Sequence, residues 1–397
     1  MPKRDPYAPS PDDRFTFGLW TVGNPGADPF GGPTRPRLSP AETVDLLGEV
    51  GGDSRGVYGV NFHDNDLIPI DATDAEAAQI KRDFRAALRR NKLKVPMATT
   101  NLFSDPVFKD GAFTSNDAEV RAYAIQKTMK AMLLGKEFGA KTYVFWGGRE
   151  GTESDATKDP VVAVKRFREC INYLCAFSKA EKLNYKFAFE AKPNEPRGHI
   201  YMATTGNYLA FIETLDDPSM CGVNPEFAHE TMAGLNFVHH VAQALEAGKL
   251  FHIDLNDQEI GRYDQDYRFA SVSYKAAFFL CKLLCDYKYK GMKHFDSHAY
   301  RQADRDEVKA FAAGSMRSWK ILEAKVTKFN KDRKIQSLIR QINRGEQAAA
   351  TKLAKKYSKT NAKKLLAAPL DREKLAKRKL PYEQLDQLTM ELLLGVR

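Results

Sequence analysis

Short apolar runs recur along most of the chain, and the stretches between them place their apolar residues every three or four positions. Eight runs have this form: FTFGLW from Phe15, VYGVNF from Val57, KVPMATT from Lys94, KTYVFW from Lys141, YKFAFE from Tyr185, MCGVNPE from Met220, LFHIDL from Leu250 and MKHFD from Met292. Runs of that length predict buried strands, and the 3.6-residue period predicts helices over 74–91, 117–139, 161–182, 238–247 and 272–287. Strand alternating with helix eight times is the pattern of a (β/α)8 TIM barrel, whose reacting groups project from the C-terminal strand ends. A doubly wound open sheet rarely reaches eight units, and no glycine-rich phosphate loop follows the first strand. The barrel is expected over residues 1–327. From about Lys328 the chain turns Lys/Ala/Leu-rich, loses strand-like runs and ends in the amphipathic YEQLDQLTMELLLGVR. Residues 328–397 are expected to form a helical, basic C-terminal arm that buries its apolar stripe on a neighbouring subunit.

Composition adds limits. With 397 residues, 43% hydrophobic and 28% charged, the chain suits one large soluble domain plus an extension, or two domains. It has no uninterrupted run of eighteen apolar residues, and MPKRDPYAPSPDDR lacks a signal-peptide core, so no membrane span or leader is expected. Five cysteines (Cys170, Cys175, Cys221, Cys281, Cys285) form no CxxC pair, which fits a reducing, cytoplasmic setting. Charge is unevenly placed. Residues 326–397 hold 18 basic and 7 acidic side chains, a net +11 that more than accounts for the +10 of the whole chain. The arm has few aromatics to stack on bases (Phe329, Tyr357, Tyr382), so a solvated or subunit-docking tail is preferred to a nucleic-acid-binding one.

The candidate chemistry lies at the strand ends. Glu190 and Lys192 follow the fifth run, Glu226 and His229 the sixth, Asp254 the seventh and Asp296 the eighth; Asp264 and Asp266 form a DxD shortly after the seventh. Carboxylates beside buried strands are costly unless a cation compensates them, so the series points to a metal site. One histidine among many oxygen donors selects Mg²⁺ or Mn²⁺, with Co²⁺ an alternative, over zinc. His63, with Asp66 three residues on to fix its tautomer, can move protons near neutral pH. Trp20, Phe103 and Trp146 sit at strand ends where they could wall a sugar pocket.

Those residues lie in FHDNDLIP, VPMATTNLFSDPVFKDGAFTSND, WGGREG, KPNEPRG, KLFHIDLN, YDQD and HFD. Through these motifs the chain resembles the xylose isomerases, in their shorter, actinobacterial-type class, over nearly its whole length. The resemblance implies that D-xylose and D-xylulose, and also D-glucose and D-fructose, are interconverted by ring opening and a metal-assisted 1,2-hydride shift. It implies two divalent cations per subunit, Mg²⁺ first. Glu190, Glu226, Asp254 and Asp296 would hold one; Glu226 would bridge to the second, completed by His229, Asp264 and Asp266. His63 and Asp66 would serve ring opening and Lys192 would bind the substrate's O1. Trp20, Phe103 and Trp146 would form the apolar wall, with Thr99 and Asn224 as supporting polar positions. Phe30 would reach into a neighbour's site within a homotetramer built as a dimer of dimers. The rival readings are another metal-dependent barrel isomerase or epimerase, a barrel endonuclease using the basic arm, and a non-enzymatic sugar-binding or scaffold protein, which would be expected to lose acids from the site. The chain departs from the family pattern at Asn24 and Pro25, at Ala191, at His199, at Ser297 and His298, and by extra residues in GGDSRGVYGV.

Overall fold

Seven of the eight apolar runs become strands, and they curl into a barrel. The computed structural model describes residues 5–50, 56–345 and 348–397; the extra residues 51–55 of GGDSRGVYGV lie outside them. In chain order the strands are β1 (Phe15–Gly18), β2 (Val57–His63), β3 (Met97–Thr99), β4 (Thr142–Trp146), β5 (Gly151–Thr152), β6 (Lys186–Glu190), β7 (His199–Ile200), β8 (Cys221–Val223) and β9 (Lys293–Phe295). Seven of these pair in parallel in the order β8-β6-β4-β3-β2-β1-β9. β5 and β7 form a small antiparallel pair outside the barrel.

The run from Leu250 closes the ring without becoming a continuous strand. It enters through single parallel bridges, Val223 with Leu250, Glu226 with Asp254, and Asp254 with His294. Pro225 has no N–H to offer a ladder, yet its carbonyl accepts from the Asp254 amide at 3.0 Å. On the other side the Leu255 amide donates to His294 at 2.7 Å. The eighth stave is therefore present, thinned to bridges where the chain begins to carry acids.

Helices Asp74–Asn91, Ala118–Phe138, Pro160–Ala180, Phe237–Glu246 and Tyr274–Asp286 alternate with the strands, within a few residues of the periodicity. Capping decides where they start: Thr73 and Glu76 form a reciprocal box at the first, and Asp117 and Asp159 cap the next two. Their apolar faces meet the outward face of the barrel, as where Phe84 packs on Phe62 and Phe138 at ring separations of 6.2 and 5.1 Å. Gly135 lets the helix Ala118–Phe138 come close to β3, since a Cβ there would stand 2.7 Å from that of Ala98. Inside, Met97, Val144 and Ala188 form a buried floor against which Trp20 and Phe251 pack.

The chain divides into two compact units, Met1–Ile321 and Leu322–Arg397. The division falls inside the helix Arg305–Lys331. The second unit has no strand among its described residues. Past Lys331 its helices are short: Arg333–Ile342, Ala349–Lys355, Lys359–Leu366, Arg372–Ala376 and Tyr382–Leu394. Caps at Asp332, Ser358 and Asp371 restart the helix each time.

Candidate metal centre

The strand ends bring the acids to one rim. β4 and β6 run in register so that Trp146 stands opposite Glu190. Glu226 lies three residues past β8 and Asp296 one past β9, and the bridges of the eighth stave set Asp254 beside both neighbours. Asp264 and Asp266 arrive on a loop anchored by the Asp257–Tyr267 bridge. Asp266 takes φ +47°, a left-handed conformation that aspartate tolerates, and its carbonyl accepts from the His298 amide at 3.1 Å. A cavity of about 240 Å³ is lined by all seven acid and histidine candidates, with His63, Thr99, Trp20, Phe103 and Trp146.

Three overlapping groups have their ligand atoms within 4.8 Å of one another: Glu190, Glu226 and His229; Glu226, Asp264 and Asp266; Glu226, Asp254 and Asp296. Glu226 is common to all. His229 touches both halves, its Nδ1 lying 3.3 Å from Glu226 and 3.5 Å from Glu190 while Nε2 lies 3.2 Å from Asp264. His229 Nδ1 and Asp264 Oδ1 are buried without a hydrogen-bond partner. Buried polar atoms are rarely left so, and carboxylate oxygens and a ring nitrogen held within 4.8 Å of one another fit a divalent cation. The donor set therefore suits the group.

Electrostatics says the same. Burial, and then the Asp254 and Asp296 charges, push Glu190 far above the usual carboxylate range. Burial and neighbouring acids do likewise to Glu226 and Asp266, and push Asp296 up to about 8. Asp264 goes the other way: burial opposes it, but His229 and Lys192 hold it well below the ordinary value. Asp254 is lowered too, against its burial, chiefly by His252. Like charges this close cannot all ionise without a counter-cation.

The remaining candidates fall around this cluster. Lys192 is buried, and its ammonium lies 2.7 Å from Asp264 and 3.5 Å from Glu195. Asp66 holds His63 through the ring Nδ1 at 2.8 Å and the backbone N–H at 3.0 Å. Although burial opposes it, Asp66 raises the histidine's pKa. Trp20, Phe103 and Trp146 make an edge-to-face wall, with Trp20 4.4 Å and Phe103 5.6 Å from the His63 ring and Phe103 4.5 Å from Trp146. Trp20 also donates to Asp296 at 2.7 Å. Asn224 donates to Glu190 and Asp254 at 3.0 and 2.7 Å. Phe30 is 99% exposed and does not enter this chain's cavity. Of the departures, His199 is exposed on β7, Ala191 is buried beside Glu190, and Ser297 is buried with an unpartnered hydroxyl.

Sequence reasoning missed several participants. Asn256 donates to Glu226 at 2.7 Å and to Asp266 at 3.0 Å, joining two acids of the cluster; its place two residues after Asp254 was the available signal. Met97 and Val144 line the cavity floor but read as plain strand residues.

Residues 53–310 match the family described as xylose isomerase-like TIM barrel. The chain is 53% identical over 394 residues to the xylose isomerase of Thermus thermophilus, covering 98% of this chain and 100% of that protein. It is 52% identical over 391 residues to the xylose isomerase of Thermus caldophilus, with the same coverage. Among solved structures, a D-tagatose 3-epimerase-like protein superposes with a TM-score of 0.55 at 12% identity, over 79% of this chain and 98% of its own. The E. coli 3-keto-D-glucoside 4-epimerase gives 0.55 at 14%, over 77% and 99%. These two likenesses speak to the barrel alone.

Proposed function

The chain belongs to the xylose isomerase family, and from that premise we propose that it interconverts D-xylose and D-xylulose. The observation that carries the reading is the cavity, with a cation-demanding cluster of acids on one side and the Asp66-held His63 on the other. It is an isomerase on a TIM barrel, within the shorter, actinobacterial-type class, and it takes D-glucose and D-fructose as further substrates.

The residues divide the work. Glu190, Glu226, Asp254 and Asp296 would hold one divalent cation and Glu226, His229, Asp264 and Asp266 a second, Mg²⁺ before Mn²⁺ or Co²⁺. When bound, such cations would neutralise the acids and draw electron density from O1 and O2, the oxygens on the two carbons between which the hydrogen moves. Asp66 accepts from His63 Nδ1, which leaves Nε2 to exchange a proton with the ring oxygen as the cyclic sugar opens. Lys192, held by Asp264, donates to O1 of the open chain. The aromatic wall excludes water and takes the sugar's C–H face. Every carboxylate lining the cavity belongs to the proposed ligand set, so none is left as a free base for an enediol route. This favours a 1,2-hydride shift.

Assembly belongs to the same proposal. The barrel of residues 1–327 would be completed by Phe30 from a neighbour, and the arm of residues 328–397 would cover that neighbour in a homotetramer in the cytoplasm. No helix among the described residues is long and apolar enough to cross a membrane. The test is a xylose-to-xylulose assay on EDTA-stripped protein with Mg²⁺, Mn²⁺ and Co²⁺ restored in turn. Ketose should form only with a cation present. Formation without any, or with none of the three, would overturn the reading.

A further inference from the structure

A buried ion pair stands just behind the cavity wall, away from the acid cluster. Lys127 lies on the helix Ala118–Phe138 and is 7% exposed. Its ammonium donates to the Asp64 carboxylate, to Asn65 Oδ1 at 3.0 Å and to the Asn101 carbonyl at 3.0 Å. That is three acceptors for its three protons. The second oxygen of Asp64 accepts from the Asn101 amide at 2.9 Å. One lysine and one aspartate thus join two separate pieces of chain, the turn after β2 and the segment after β3.

Each piece presents part of the pocket. β2 ends in His63, and the turn after it carries Asp66. The segment after β3 carries Phe103, whose amide donates to Asn101 Oδ1 at 3.2 Å; the Ser104 amide and hydroxyl donate to the same oxygen at 3.0 and 2.8 Å. Across the gap the rings of His63 and Phe103 meet edge to face at 5.6 Å. No backbone ladder reaches this far, because β2 pairs with β3 only up to His63 with Thr99. A buried charge pair is seldom the cheapest way to fill space, and this one spans the point where the sheet stops holding the two walls together.

We propose that Lys127 is a positioning residue for ring opening: its ammonium, through Asp64 and Asn101, fixes the His63 imidazole against the Phe103 wall. This rests on the assignment of His63 to ring opening. Misplacing a reacting group by about an ångström costs up to about a hundredfold in rate, so the effect should be large for steps that use His63 and small for those that do not.

The experiment compares two substrates. D-Xylose must be opened; glyceraldehyde is too short to close a furanose or pyranose ring. In Lys127→Met, kcat/KM for xylose should fall about tenfold or more, glyceraldehyde turnover should change little, and metal content should match the parent. The paired variant Asp64→Asn/Lys127→Met removes both charges, keeps the fold should the single variant lose it, and should show the same selective loss. Equal loss on both sugars, or none on xylose, overturns the proposal. His63→Gln is run in parallel and should lose more on xylose than on the triose. If it does and Lys127→Met does not, Lys127 alone is misassigned; if His63→Gln loses equally on both, ring opening by His63 falls and takes this inference with it.

Discussion

Glu226 belongs to each of the three metal-capable groups, and its carboxylate also accepts from Asn256. Glu226→Gln should therefore reduce bound Mg²⁺ to less than one ion per chain and abolish xylose turnover; metal analysis showing two ions would refute the shared-ligand assignment. The acids also set a pH dependence in the stripped protein. Asp296 is pushed up to about 8 in the fold against about 4 when unfolded, and Glu190, Glu226 and Asp266 are raised in the same sense. A raised acid binds its proton more tightly when folded, so its contribution is greatest below about pH 4 and is lost as pH rises towards 8. Asp254 and Asp264 are lowered and have already ionised in that window. Calorimetry of EDTA-treated protein should show Tm falling from pH 5 to 8, and the rise on adding Mg²⁺ should grow with pH. A metal-induced rise that shrinks with pH would contradict this account.

Strand-length apolar runs and helical periodicity placed the elements to within a few residues, since both report which face is buried. The seventh run is instructive. LFHIDL reads as a strand, yet it is joined only by bridges, because Pro225 interrupts its neighbour's donors and Asp254 serves the rim. The arm is helical as its composition suggests, but Asp332, Ser358 and Asp371 each cap a new short helix. Helix docking can be tested at Phe84, fully buried against Phe62 and Phe138. Phe84→Ala should cost about 3–5 kcal/mol, read as a lower urea midpoint at unchanged slope, with activity per folded molecule retained. A loss under about 1 kcal/mol would mean that the helix Asp74–Asn91 is held by something other than this ring cluster.

At the scale of the molecule, the charge is divided between a nearly neutral body and a strongly basic arm. Truncation at Lys328 should leave a folded barrel, because every described strand lies upstream, and should weaken assembly, because exposed Leu366, Leu370 and Leu375 would lose the surface they are proposed to cover. Sedimentation at micromolar concentration checks this; full oligomeric mass in the truncated protein would remove the arm from assembly. The sequence by itself determined the barrel, its alternating elements and which acids stand at strand ends, because burial periodicity and the cost of a buried carboxylate are local properties of the chain. It also carried the family motifs. Only the tertiary structure decided how those acids divide: that His229 reaches both Glu190 and Asp264, and that Asn256 joins Glu226 to Asp266. It alone turned Lys127, a mid-helix lysine with the look of a solvated one, into a clamp on two loops 63 and 26 residues away. Such contacts join positions far apart in the chain, and whether a charge meets water or a carboxylate depends on what the fold lays beside it.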